Sequence, residues 1–138
     1  MDVGGLNFAY IGASCIDNQE LLERAVDKCM WGKFYNSGQS RSSIEGILVH
    51  HTMVNRFTNM LSEKVNETLF LDDPMKDETN YGVINDPTQI LNYNEIVNDA
   101  VSQGGVVTIG GYENTDEQGL GRFYEPTIIA KCHSGMRL

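Results

Sequence analysis

Cations are scarce in this chain: ten Lys and Arg face nineteen Asp and Glu, a formal net charge of −9 over 138 residues. So acidic a composition offers no broad basic footprint, which argues against nucleic acid and anionic membrane surfaces as partners. Long apolar runs are also lacking. None approaches the ~18–20 residues of a membrane-spanning helix, so no membrane insertion is expected. The opening MDVGGLNFAYIG has no basic segment and no long apolar one, and does not read as a secretory leader. Cysteine is sparse and odd in number: Cys15, Cys29 and Cys132. Together these features predict reduced thiols and a cytoplasmic location, or another reducing intracellular compartment. The glycosylation triplet Asn66-Glu67-Thr68 then reads as a chance match. The length predicts one domain spanning residues 1–138, with no room for a separate nucleotide-binding domain.

Several chemical signatures are missing as well. A dinucleotide fingerprint needs Gly-x-Gly-x-x-Gly between a strand and a helix. Neither Gly4-Gly5 nor Gly104–Gly111 has that spacing. No Cys-x-x-Cys or His-x-x-x-His pair is present to hold a metal. His50 and His51 are neighbours at a predicted strand end, where adjacent side chains point to opposite faces. The acidic cluster Asp72, Asp73, Asp77 and Glu78 lacks the alternating spacing and the glycine of a calcium loop. The serines of Ser37–Ser43 sit in no Gly-x-Ser-x-Gly elbow. Neither a metal site nor a cofactor-binding residue is therefore expected.

What the chain does carry is hydrophobic periodicity that switches between 2 and 3.6. Asn7–Gly12 reads as a buried strand. Asp17, with Glu20 three residues on, reads as a capping box. Leu21, Leu22, Ala25, Val26, Cys29 and Met30 then recur at helical spacing to about Tyr35, placing Cys29 on the apolar face. Asn36–Ser43 is polar and turn-forming, and Ile44–His50 is the next strand. Val54, Phe57, Leu61 and Val65 mark a second helix. Asp86-Pro87-Thr88-Gln89 starts a third, stopped by Gly104-Gly105. Val106–Ile109 is a strand, Gly110–Gly121 a loop, and Tyr124–Ala130 a last strand that Pro126 marks as an edge. Strands alternating with helices predict an α/β fold: three layers, a mainly parallel sheet and helices on both faces. There is no internal repeat.

At Asn36-Ser37-Gly38-Gln39, within KFYNSGQSRSSIEGILVH, the chain resembles the nucleophile segment of the NAD(P)-dependent aldehyde dehydrogenases. Other motifs follow in the family's order. Asp2-Val3-Gly4-Gly5 resembles its Glu-Leu-Gly-Gly. Asp72-Asp73-Pro74-Met75, then Glu78-Thr79, Gly82 and Ile84, resembles its Gly-Asp-Pro…Glu-Thr…Gly-Pro stretch. Gly104–Gly111 and Tyr124-Glu125-Pro126-Thr127 resemble two later strands, and Met136-Arg137 the residues before its Glu-Glu-Ile-Phe-Gly-Pro motif. The likeness implies part of the family's catalytic domain.

The departures bear on activity. The family's nucleophilic Cys, two residues after the Gln, is replaced here by Arg41, with Ser42 next. A guanidinium is a permanent cation and offers no thiolate. Neither Cys15 nor Cys29 lies in this segment. The general-base Glu corresponds to Asp2, one methylene shorter, and the following family Lys to Leu6. The resemblance also implies that the nucleotide-binding domain, its cofactor contacts and an oxyanion-hole Asn lie outside these residues. The expectation is a catalytically inactive pseudoenzyme fragment that binds no cofactor itself, although the family uses NAD or NADP. It is expected to act structurally, as a homo- or hetero-oligomer through surfaces that truncation exposes. The alternative is a piece of an aldehyde-oxidising enzyme that takes its cofactor on a separate chain. A third reading is an anion-binding module at Arg41.

Overall fold

The computed structural model describes residues 6–73, 75–115, 119 and 122–137. The chain divides into two compact units, Met1–Thr68 and Leu69–Leu138. Length alone placed no boundary inside the chain, and no Pro- or Gly-rich linker marks this one; it falls between Thr68 and Leu69.

In the first unit, β1 (Phe8–Ile11) pairs in parallel with β2 (Gly46–Val49), Phe8 opposite Gly46 and Tyr10 opposite Leu48. The connection between them holds α1 (Gln19–Phe34), which makes a β-α-β unit of the kind the alternating periodicity predicts. The helix starts one residue later than the capping box implied. Asn18, not Asp17, is the N-cap, and its side chain accepts from the Leu21 amide at 2.9 Å. Both residue types cap well. Register moved the cap by one, so Glu20 falls at the second helical position and no box closes.

After β2 comes α2 (Val54–Thr68). Leu22, Val26 and Cys29 of α1 are buried, as are Phe57, Leu61 and Val65 of α2, and the two helices pack together to form the first core. These are the stripes read from the sequence, and Cys29 lies where expected, at 3 % exposure. At the rim, Lys64 pairs with Asp27 at 2.9 Å.

The second unit is built on α3 (Pro87–Ser102). Asp86 caps it as expected, accepting from the Thr88 amide at 2.9 Å and the Thr88 hydroxyl at 2.7 Å. These bonds hold its carboxyl below the ordinary carboxylate range. Gly104, at φ +95°, turns the chain out of the helix. β3 (Val106–Ile109) then pairs antiparallel with β6 (Ile128–Ala130), with a register shift between Val107 and Ile109. β4 (Glu113–Asn114) pairs antiparallel with β5 (Phe123–Tyr124). The core of this unit is Ile84, Ile90, Val97 and Tyr124, with Tyr93, Val107 and Ile129 against it. Tyr93 meets Tyr124 edge-on at 5.3 Å, and the Tyr124 hydroxyl donates to Asn94 Oδ1 at 3.1 Å. Burial drives the Tyr81 phenol far above its usual range.

The class is α/β, as expected. Among the described residues the strands form three two-stranded ladders, the one in the first unit parallel and the two in the second antiparallel. The stretch read as one strand over Tyr124–Ala130 is two. Pro126 has no N–H to offer a ladder, so β5 ends before it and β6 begins after it. The stretch read as loop over Gly110–Gly121 contains β4, whose two exposed polar residues carry no alternation to detect.

Candidate functional site

The turn that carries the most distinctive sequence motif follows α1. Tyr35–Gly38 forms a short 3₁₀ turn in which Asn36 (φ 52°, ψ 40°) and Ser37 (φ 54°, ψ 31°) are both left-handed, followed by Gly38 at φ +73°. A left-handed conformation costs an ordinary L-residue roughly 1–2 kcal/mol, with Asn among the more tolerant. Such strain survives only where the surroundings enforce it, and it clusters at functional sites.

The surroundings here do enforce it. The Gln39 amide donates back to the Asn36 carbonyl at 3.0 Å, and the Ser43 amide to the Ser40 carbonyl at 3.0 Å. The hydroxyls of Ser40 and Ser42 meet at 3.1 Å. The Ile44 amide donates to the Gly32 carbonyl at 3.0 Å, tying the end of the turn to the last part of α1. From the approach to β1, Asn7 clamps the turn. Its Nδ2 donates to the Arg41 carbonyl at 2.9 Å and to the Ser43 carbonyl at 3.2 Å. The Ser43 hydroxyl is buried and finds no hydrogen-bond partner among the described residues.

Arg41 lies on this turn with its side chain exposed, and Ser42 beside it is exposed too. Asp2 lies outside the described residues. Leu6 stands open to solvent at 72 %. Cys29 is in the core of the first unit, where burial pushes its thiol up, away from the thiolate. Cys132, in the second unit, is likewise pushed up by partial burial. Cys15, buried, closes the short turn Ala13–Cys15 after β1.

Lys33 is the group the sequence did not single out. It sits in the last turn of α1 and is partly buried. A Cβ on Gly38 would be in ordinary van der Waals contact with the Lys33 Nζ and Cε, at 3.8 and 3.9 Å, and tighter, at 3.3 Å, against the Lys33 carbonyl oxygen. Gly38 thus serves the left-handed φ. Burial lowers the Lys33 amine below the usual lysine value, against the opposing charge of Glu45. In the sequence, Lys33 reads only as a cation suited to a helix C-terminus. Its burial depends on how the turn folds back, which periodicity does not encode.

His50 and His51 do not point to opposite faces. The chain leaves β2 at Val49 and enters a 3₁₀ turn over His51–Met53, so the alternation of a strand no longer holds there. The two rings stack with centroids 4.5 Å apart, and His50 Nδ1 lies 2.9 Å from Thr52 Oγ1. Among the described residues no group of three His, Cys, Asp or Glu is placed to hold a metal ion. The acidic stretch is occupied with its own turn: Lys76 pairs with Asp72 at 2.7 Å, and the Met75 amide caps onto Asp73 at 2.9 Å. In the second unit an open cleft of about 350 Å³ is lined by Ile90, Glu113, Asn114, Thr115 and Arg122. No described helix is long and apolar enough to cross a membrane.

The chain matches known proteins throughout its length. The model of the aldehyde dehydrogenase family covers residues 1–138. A 3-sulfolactaldehyde dehydrogenase of Priestia aryabhattai is 29 % identical over 126 residues, which are 91 % of this chain and 25 % of that protein. The chain therefore spans about a quarter of the length of the curated relatives it matches. The crystal structure of an aldehyde dehydrogenase from Brucella melitensis biovar abortus superposes with a TM-score of 0.85 at 28 % identity, over 97 % of this chain and 26 % of that one. A point mutant of betaine aldehyde dehydrogenase from Staphylococcus aureus, in complex with NAD+, superposes with a TM-score of 0.83 at 26 % identity, over 99 % of this chain and 27 % of that one. A family match along the whole chain, joined to this backbone agreement, means that the chain belongs to the aldehyde dehydrogenase family.

Proposed function

We propose that these 138 residues form an aldehyde dehydrogenase-like fragment that does not oxidise aldehydes itself and acts through association with other protein. The observation that carries this reading is Arg41, the residue two after the Gln of Asn-Ser-Gly-Gln, where the family resemblance calls for a thiolate. The turn around it holds Asn36 and Ser37 left-handed, and the group it presents is a cation with no electron pair to give. The general-base position, Asp2, is one methylene short on the same resemblance. Cofactor is a second deficit in this reading: no stretch of these residues has the spacing of a dinucleotide fingerprint. The free thiols fit a reducing intracellular compartment such as the cytoplasm.

The test is the chain as it stands, and Arg41→Cys, each mixed with NAD+ or NADP+ and a panel of short aldehydes. The expected result is no reduced cofactor from either. Turnover by the unaltered chain refutes the reading. Turnover by Arg41→Cys alone keeps the nucleophile deficit and removes the cofactor deficit.

Support for association comes from the face of β1 and β2 that carries Phe8, Tyr10 and Leu48. Register puts these side chains on one face, and they are 57, 73 and 56 % exposed. Apolar side chains gathered on one sheet face usually mark a surface that something covers. Sedimentation at micromolar concentration is expected to give species larger than the monomer. A single monodisperse monomer counts against a required partner.

A further inference from the structure

We propose that the cleft between α3 and the β4–β5 hairpin binds a free amino acid with an aliphatic side chain, its carboxylate on Arg122 and its ammonium on Glu113. The inference goes beyond the reading of an inactive fragment, since the cleft lies wholly in the second unit and the Arg41 turn belongs to the first. A volume of about 350 Å³ is within the range of small-molecule sites, roughly 300–1,000 Å³. Such sites join an apolar wall to a few polar groups that fix orientation. Both are present here. Ile90, buried in the core of the second unit, supplies the apolar wall from α3. Glu113, Asn114 and Thr115 come from β4 and its end, and Arg122 directly precedes β5. The ladder pairs Glu113 with Tyr124 and Asn114 with Phe123, so one step further it sets Thr115 opposite Arg122. A carboxylate and a cation thus line one cleft from the two strands of one hairpin.

Among the described residues no ion pair is formed by Glu113 or Arg122. Arg122 acts on the Asp86 carboxyl only through its charge. Asn114, by contrast, is occupied. Its Oδ1 accepts from the Thr115 amide at 2.8 Å, and its Nδ2 donates to Glu125 Oε1 at 2.6 Å. Those bonds hold the end of β4 in place.

The charge pattern selects the ligand. A carboxylate alone would pair with the guanidinium of Arg122, which can take it bidentately, but would meet the repulsion of Glu113 and Asp86. An amine alone would pair with Glu113 and leave Arg122 unanswered. A zwitterion satisfies both charges at once, and its aliphatic side chain covers Ile90.

The test is an NMR titration of the full chain with L-leucine and two analogues. One, 4-methylpentanoate, is leucine without its ammonium; the other, 3-methylbutylamine, is leucine without its carboxylate. Leucine is expected to give saturable shifts at the Ile90 methyl groups and at the Asn114 and Thr115 amides. Each analogue is expected to bind about threefold or more weakly, the scale of one exposed ion pair. Arg122→Gln and Glu113→Gln, both at exposed positions, should keep the thermal melt and lose leucine affinity to the same extent. Leucine shifts that do not saturate overturn the proposal. So does either analogue binding as tightly as leucine, since one of the two charges would then be idle. Leucine affinity unchanged in both variants also overturns it, by placing the ligand elsewhere. The analogue series on the unaltered chain decides the matter even where a variant folds poorly. No aldehyde and no NAD is present in the titration, so this proposal and the reading of an inactive fragment fail separately.

Discussion

Gly110→Ala is expected to dismantle the β3–β6 ladder. Gly110 has φ +65°, and a Cβ there would overlap the Pro126 carbonyl oxygen and lie 2.7 Å from Thr127 Oγ1. The left-handed conformation alone costs an alanine roughly 1–2 kcal/mol, and forcing a side chain into a filled space adds about 1–3 kcal/mol. The obstacle is main chain, so no rotamer change relieves it. The segment before β6 would have to move, and with it the bond from the Gly111 amide to Thr127 Oγ1 at 2.9 Å. A loss of about 2–5 kcal/mol follows, a large share of the ~5–15 kcal/mol that holds a typical domain together. Amide exchange at Val107 and Ile129, which face each other in the ladder, should accelerate sharply. Protection that stays at the level of the unaltered chain would mean that the backbone absorbs the methyl group.

Phe57→Ala is expected to do comparable damage in the first unit. Phe57 is 2 % exposed and among the largest fully buried side chains. It lies on the stripe of α2 with Leu61 and Val65, in the core that α2 forms with α1. Deleting a buried phenyl ring costs about 3–5 kcal/mol, through lost burial and the cavity left behind. The consequence reaches the candidate site because the turn at Asn36–Ser43 is anchored to α1: the Ile44 amide bonds to Gly32, and Lys33 lies against Gly38. Loosening α1 should release the left-handed residues and let Lys33 reach solvent. Trp31, the chain's one tryptophan, stacks on Tyr35 at 5.0 Å and can report the change by fluorescence. The expected outcome is a lower melting midpoint in that signal. A midpoint within error of the unaltered chain would show that Phe57 carries little of the core.

Both predictions rest on residues that differ in how legible they were. Phe57 was readable directly: it recurs with Val54, Leu61 and Val65 at helical spacing, and burial of one stripe against a neighbour is what such spacing means. Gly110 was readable only as loop composition, because its constraint comes from Pro126, sixteen positions away. The same division runs through the turn. Asn36-Ser37-Gly38-Gln39 stood out as a motif, and Arg41 followed from its spacing. That Asn36 and Ser37 are held left-handed, that Asn7 clamps the carbonyls of Arg41 and Ser43, and that Lys33 is drawn against Gly38 are facts of contact between segments far apart or folded back. The stacked histidines belong with these: an alternation rule was applied one residue past the point where β2 gives way to a turn.

By itself the sequence determined the α/β class, the faces of the three helices, the cap and start of α3, and membership of a family by the order of its motifs. Those properties are local or periodic, and each residue's own geometry enforces them. Tertiary structure alone decided the boundary after Thr68, which strands pair with which, and which amine is shielded from water. Strand pairing depends on hydrogen bonds to a distant segment, and a lysine's charge on what lies over it. Neither quantity is a property of a residue and its near neighbours in the chain, so neither could be read before the chain was folded.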